Sequence, residues 1–193
     1  TPASSSTPAY SRTSNYDSLG RVTNTSITQA SRSYTSSQTY DAQSRVATAT
    51  YPSGFAIEHG YNAQGALTKV INKQTGKVIW QANSYNHFGH VTSATLGNNL
   101  TTTHQYDAAT GMVKEIKTGS ADVPSASTGS GTPTIQNLAF TWDALGNLSS
   151  RSDNNQAVTE TFQYDTLNRV TQANLNGTQT LSVRYDGIGN ITY

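Results

Sequence analysis

The chain has 193 residues, with 12 Lys and Arg against 11 Asp and Glu and a formal net charge of +1, a balance that excludes a dedicated nucleic-acid surface or a polybasic membrane patch. It contains no Cys, which excludes disulfides, thiolate metal sites and Cys nucleophiles. Only 12% of residues are charged, about half of ordinary usage, and Ser, Thr, Asn, Gln and Gly fill the difference without forming an apolar run long enough for a membrane span.

Residues 1–12 read as a linker, because Ser, Thr and Pro bury too little surface to order themselves. The start has neither a Met nor the apolar stretch of a signal peptide, so the chain is expected to be a piece of something longer. From residue 13 to 193 one heptapeptide-like unit recurs eight times, beginning at Tyr16, Tyr40, Tyr61, Tyr85, Tyr106, Trp142, Tyr164 and Tyr185. The copies read YDSLGRV, YDAQSRV, YNAQGAL, YNHFGHV, YDAATGMV, WDALGNL, YDTLNRV and YDGIGNI, with starts 24, 21, 24, 21, 36, 22 and 21 residues apart. Such periods mark a repeat architecture.

Each motif position has a physical reason. Asp17, Asp41, Asp107, Asp143, Asp165 and Asp186, with Asn62 and Asn86 in the other two copies, carry side chains that accept hydrogen bonds from amides a few residues on and so nucleate a turn. Gly20, Gly65, Gly89, Gly111, Gly146 and Gly189 close that turn, with Ser44 and Asn168 in their place elsewhere, so this position is expected near left-handed conformation. Two residues later stands an aliphatic: Val22, Val46, Leu67, Val91, Val113, Leu148, Val170 and Ile191. The unit is therefore strand, Asp-x-x-Gly turn, strand. Alternation at Leu138, Phe140 and Trp142, at Phe162 and Tyr164, and at Leu181, Val183 and Tyr185 supports strands with one apolar face, on which the motif aromatics are expected to be buried. Pro52-Ser53-Gly54, Gln74-Thr75-Gly76, Gly97-Asn98, Asn154-Asn155 and Asn176-Gly177 punctuate the intervening hairpins. Two strands and two turns per unit leave about 6 to 8 residues per strand, and no segment keeps a helical apolar stripe. The low-complexity stretch at about 118–134 explains the longest interval and reads as a flexible insertion at a hairpin end.

The eight copies resemble the YD repeat of the Rhs family, which includes bacterial Rhs polymorphic toxins, the B and C components of Tc toxins, wall-associated proteins and, distantly, teneurins. Tyr51-Pro52-Ser53-Gly54 and the run from Gly97 to Thr103 add to the likeness, which extends from about Asn15 to Tyr193. The resemblance implies an all-β chain of tandem hairpins in a continuous antiparallel, coiling sheet, a segment of a shell. It further implies a secreted or cell-surface bacterial protein in which neighbouring repeats of the same larger chain and an enclosed C-terminal toxin or effector domain are the partners. An adhesion module that binds glycan or a cell surface is the alternative.

Enzymatic readings compare poorly. Six of the eight Asp residues belong to motif turns, the remaining Asp122 and Asp153 lie in loops, and Glu58, Glu115 and Glu160 are scattered. His87 and His90 form H-x-x-H without a local carboxylate to complete a metal site, and His59 and His104 share a strand position two residues before a motif Tyr. Arg21, Arg45 and Arg169 share one motif place and are expected to stack on Tyr or pair with Asp across strands, in preference to forming an anionic-glycan row. Lys69, Lys73 and Lys77 guard one hairpin edge. No cofactor, metal or catalytic set is expected. As a slice of a repeat array, the isolated chain is expected to leave strand edges open at both ends.

Overall fold

The computed structural model describes residues 10–120 and 135–192. Contacts divide the chain into two compact units, one up to Gln81 and one from Ala82 onward. The first unit holds β1 (Tyr10–Tyr16), β2 (Val22–Gln29), β3 (Arg32–Tyr40), β4 (Val46–Thr50), β5 (Ala56–Tyr61), β6 (Leu67–Asn72) and the start of β7 (Val78–Tyr85). The second holds the end of β7, then β8 (Val91–Leu96), β9 (Leu100–Tyr106), β10 (Val113–Ser120), β11 (Gln136–Trp142), β12 (Leu148–Asp153), β13 (Val158–Tyr164), β14 (Val170–Leu175) and β15 (Thr178–Ser182). The fold is all-β and antiparallel, and β1 to β15 are hydrogen-bonded in chain order. A separate two-stranded sheet pairs β16 (Arg184–Tyr185) with β17 (Ile191–Thr192). The described residues contain no helix, and so none long and apolar enough to cross a membrane.

The motif sets the strand boundaries. The motif aromatic ends a strand that pairs through the turn with the strand opened by the motif aliphatic, as in Tyr16 opposite Val22, Tyr40 opposite Val46, Tyr61 opposite Leu67, Tyr106 opposite Val113, Trp142 opposite Leu148, Tyr164 opposite Val170, and Tyr185 opposite Ile191. In the first six of these hairpins the ladder slips by one residue next to the aromatic, a β-bulge; Thr23, for example, is passed over between Val22 and Asn24. A bulge bends its strand and raises the local right-handed twist.

The core is thin. Ala56 and Ala94 are the buried hydrophobic side chains among the described residues, and no large side chain there is fully buried. The motif aromatics differ from expectation accordingly: Tyr16 is 62% exposed, and the others are half-buried. The physical reason is that each unit is a single layer of sheet, so an aromatic ring lies against its neighbours along the sheet while one side stays open.

Three boundaries also differ. β1 begins at Tyr10, inside the stretch read as linker to residue 12, because Tyr10, Ser11 and Arg12 pair with Gln29, Thr28 and Ile27; residues 1–9 lie outside the described residues. β10 continues through Ser120 and so takes in the start of the expected insertion, with Thr118 opposite Thr102 and buried at 6% exposure; residues 121–134 lie outside the described residues. Finally, Leu181 to Tyr185 is not one strand. It divides at Val183, which belongs to neither strand although its amide still donates to Thr171 O of β14 at 2.8 Å.

Candidate functional site: the repeat-to-repeat fastening

The Asp-x-x-Gly turn is built twice over. In the first repeat Asp17 Oδ1 accepts from the amides of Leu19 and Arg21 at 2.9 and 3.0 Å, while the main chain closes with Gly20 N to Asp17 O at 3.0 Å. Asp41, Asn62, Asn86, Asp143, Asp165 and Asp186 repeat this arrangement, each taking the amides two and four residues on. Asp107, whose copy is one residue longer, instead takes Ala109 N, Thr110 N and Thr110 Oγ1. The closing residue lies in the left-handed region, with φ of 85° at Gly146 and of 64° and 59° at the substitutes Ser44 and Asn168. Asp153, which stands outside the motif, caps its own loop by accepting from Asn155 and Gln156.

The second carboxylate oxygen takes the side chain at the Arg position. Asp17 Oδ2 receives Arg21 Nε at 2.7 Å, Asp41 receives Arg45, and Asp165 receives Arg169. Asn147 and Asn190 do the same work for Asp143 and Asp186 with a neutral amide at 2.9 Å. These contacts hold the carboxyls below the usual Asp range. For Asp165 and Asp186 the largest cause is the side chain of Arg169 or Asn190, and for Asp17 it is the Arg21 amide. At Asp41 burial is the largest influence and pushes upward, but the hydrogen bonds from Arg45 and Gln43 and the Arg45 charge together outweigh it.

What the sequence did not show is where these groups go next. The Arg21 guanidinium lies 4.3 Å from the centre of the Tyr40 ring, Arg45 lies 4.3 Å from Tyr61, and Arg169 lies 4.2 Å from Tyr185, each partner belonging to the following repeat. The expected stacking on Tyr is met, while the pairing with Asp runs within the same turn, four residues apart, and not across strands. His90 takes the place over Tyr106, with ring centres 4.9 Å apart. The same position also covers the next turn. Arg21 Nη1 donates to Ser44 Oγ and Asn147 Nδ2 to Asn168 Oδ1, both at 2.9 Å, and Met112 Cε stands 2.8 Å from where a Cβ on Gly146 would be.

The fastening runs backward as well. The hydroxyls of Tyr40, Tyr61, Tyr106, Tyr164 and Tyr185 donate to the carbonyls of Val22, Val46, Val91, Leu148 and Val170 at 2.7, 2.9, 3.1, 2.9 and 2.8 Å, the motif aliphatic of the preceding repeat in every case. Trp142 keeps the bond with its indole: Nε1 donates to Val113 O at 2.7 Å. The motifs that begin at Tyr40, Tyr106, Trp142 and Tyr164 thus each carry one group that reaches back and one that reaches forward. Sequence alone hid this because the partners lie 15 to 29 residues away, at a stagger fixed by the bulged register.

The four His residues do not converge with carboxylates. His104 Nδ1 and His59 Nδ1 are buried without a hydrogen-bond partner, and burial pushes the His104 imidazole below its usual value. No group of three His, Asp or Glu side chains among the described residues is arranged to hold a metal ion.

The family profile described as Teneurin YD-shell matches residues 5–190. Among solved structures, the chain is similar to the Photorhabdus luminescens Tc holotoxin pore at 22% identity and a TM-score of 0.72, covering 96% of this chain and 11% of that one. It is likewise similar to the crystal structure of TcdB2-TccC3 without its hypervariable C-terminal region, at 22% identity, a TM-score of 0.69, and coverage of 92% and 11%. The TcdB2-TccC3-TEV crystal structure gives 21% identity, a TM-score of 0.68 and the same coverage. The chain therefore spans about a tenth of the length of the structures it matches. No curated protein sequence matches it.

Proposed function

The chain belongs to the teneurin YD-shell family, and from that premise we propose that it is a stretch of wall, without catalytic activity, in a YD-repeat shell that encloses or presents a C-terminal toxin or effector domain of a secreted bacterial protein. The observation that carries the reading is the fastening: the motif aromatic of one repeat completes a backbone hydrogen bond of the repeat before it. A wall needs neighbours joined side to side more than it needs a thick core, and that is how these residues are used. The motif residues Tyr16, Tyr85, Gly20, Gly65, Gly89, Gly111 and Gly189, together with those detailed above, take structural roles as turn, anchor and staple. Their carboxylates are engaged by backbone amides and by Arg or Asn side chains, or by Thr110 at Asp107, which supports an absence of acid–base chemistry.

The test is an electron cryo-microscopy reconstruction of the intact gene product that carries this segment. The reading predicts a hollow shell with these repeats in its wall and a separate domain inside. A solid or open assembly with nothing enclosed would contradict it. A second reading, adhesion through glycan, is favoured by one feature: Tyr51 and Phe55 are exposed at 47% and 39%, with ring centres 6.0 Å apart. Saturable glycan binding lost on Tyr51→Ala would support that reading; no binding to a broad glycan panel would remove it.

A further inference from the structure

We propose that the hollow formed by β2, β3 and β4 beside Tyr51 is a binding site for one uncharged hexopyranose ring of a glycan. The ligand class rests on the glycan reading of Tyr51 and Phe55, the place rests on the cavity, and the shell reading is independent of both.

The hollow exists because small side chains meet on one face. Along β3, Ser36, Gln38 and Tyr40 are half-buried while Ser37 and Thr39 between them are exposed, so the first three share the covered face. Thr25 of β2 pairs with Ser36, and Gln38 pairs with Ala49 of β4, which puts both pairs on that face. Ser36 lies four residues before its motif aromatic, where Ile57, Leu138 and Leu181 stand in three other repeats. Ala49 lies three residues after its motif aliphatic, where Val70 and Ile116 stand in two others. Short side chains in place of branched ones leave a cavity of 240 Å³, bounded by Thr25, Ser36, Gln38, Ala49 and Tyr51 among others. Sites for drug-sized ligands run from roughly 300 to 1,000 Å³, so this one suits a single ring.

The lining matches a polyol. No charged side chain borders the cavity. The Gln38 amide is fixed in place, because Nε2 donates to Val22 O at 2.9 Å and to Tyr40 Oη at 2.7 Å. Its Oε1 is left as an acceptor without a hydrogen-bond partner among the described residues. Ser36 Oγ likewise has no partner there and can donate or accept. A sugar hydroxyl also does both, whereas a carboxylate or phosphate would face Oε1 with no cation to balance it.

Tyr51 supplies the apolar counterpart. Its ring stacks on Phe55 with an interplanar angle of 23°. The turn beneath closes with Tyr51 N donating to Phe55 O at 2.8 Å and Gly54 N to Tyr51 O at 2.9 Å, and Gln74 Nε2 ties Gly54 O at 2.7 Å from the β6–β7 hairpin. An exposed aromatic plate is thus held at the edge of a neutral hollow. The C–H face of a pyranose packs on such a plate while its hydroxyls meet the polar groups.

The experiment is an NMR titration of the chain with methyl β-D-glucopyranoside and methyl β-D-galactopyranoside, with glycerol as the nonspecific polyol. Saturable shifts confined to the surroundings of Ser36, Gln38, Ala49 and Tyr51 are expected for at least one glycoside and not for glycerol. Ser36→Leu fills the hollow with the side chain that Leu138 and Leu181 already place there in other repeats, so the variant folds; it should weaken binding by more than roughly tenfold, and Tyr51→Ala by about tenfold. Shifts that do not saturate, lie elsewhere, or persist in Ser36→Leu would overturn the site. Tighter binding of methyl β-D-glucuronide than of either neutral glycoside would overturn the uncharged ligand, and tighter binding of N-acetyl-leucine methylamide would overturn the sugar. Binding to a larger glycan that Tyr51→Ala abolishes and Ser36→Leu spares would overturn this pocket and leave the adhesion reading standing.

Discussion

Trp142 donates its indole N–H to the carbonyl of Val113 at 2.7 Å, across the longest interval in the repeat. Elsewhere a Tyr hydroxyl makes this bond over 15 to 18 residues. Two different donors reaching the same acceptor position show that the selected feature is a polar tip on an aromatic body, set at a fixed distance from the neighbouring repeat.

The hydroxyl bond can be isolated chemically. Tyr164→Phe keeps the ring and removes the donor to Leu148 O, and should cost about 1 kcal/mol in a denaturant titration. Gln163→Ala, at an exposed neighbour, should fall within about 0.5 kcal/mol of the parent.

The turn chemistry predicts a rank order at Asp165. Asn retains the Oδ1 acceptor for Leu167 and Arg169 and loses only the charged partner of Arg169, whereas Ala loses both. Thermal unfolding should therefore place Asp165→Ala clearly below Asp165→Asn, and Asp165→Asn close to the parent.

Gly146 has φ of 85° and Met112 Cε close above it. Gly146→Val should cost more than about 1 kcal/mol, because a β-branched residue resists positive φ. Calorimetry on that variant beside Gly187→Val, whose Cβ would meet nothing within 4 Å, separates conformational strain from bulk.

Acid should weaken the fold. The motif Asp carboxyls have folded-state values below the ordinary Asp value of 3.8, so their stabilisation is full above that pH and is lost as pH falls through the folded values. His104, depressed by burial from 6.5, loses its contribution over a higher window that begins as pH drops below 6.5. A pH series of unfolding midpoints should show a shallow decline below 6.5, absent in His104→Gln, and a steeper one below about 4.

Much of this was legible in sequence. Strand ends at Tyr40 or Tyr164 and strand starts at Val46 or Val170 follow from local turn chemistry, which acts over four residues. The left-handed conformation at Asn168 follows from its alignment with Gly in other copies. The reach of Arg169 to Tyr185, or of Tyr164 to Leu148, was not legible to the same degree, because it depends on inter-hairpin stagger. Nor was the exposure of the aromatics: alternation at Phe162 and Tyr164 identifies an inward face but not how much covers it.

Native-state amide hydrogen exchange on Tyr164→Phe tests the central claim most directly. If the motif aromatic fastens its repeat to the one before, protection should fall in β12, at Leu148 to Asp153, as well as around Tyr164 itself. Loss of protection confined to the Tyr164–Val170 hairpin, with β12 unchanged, would contradict the account.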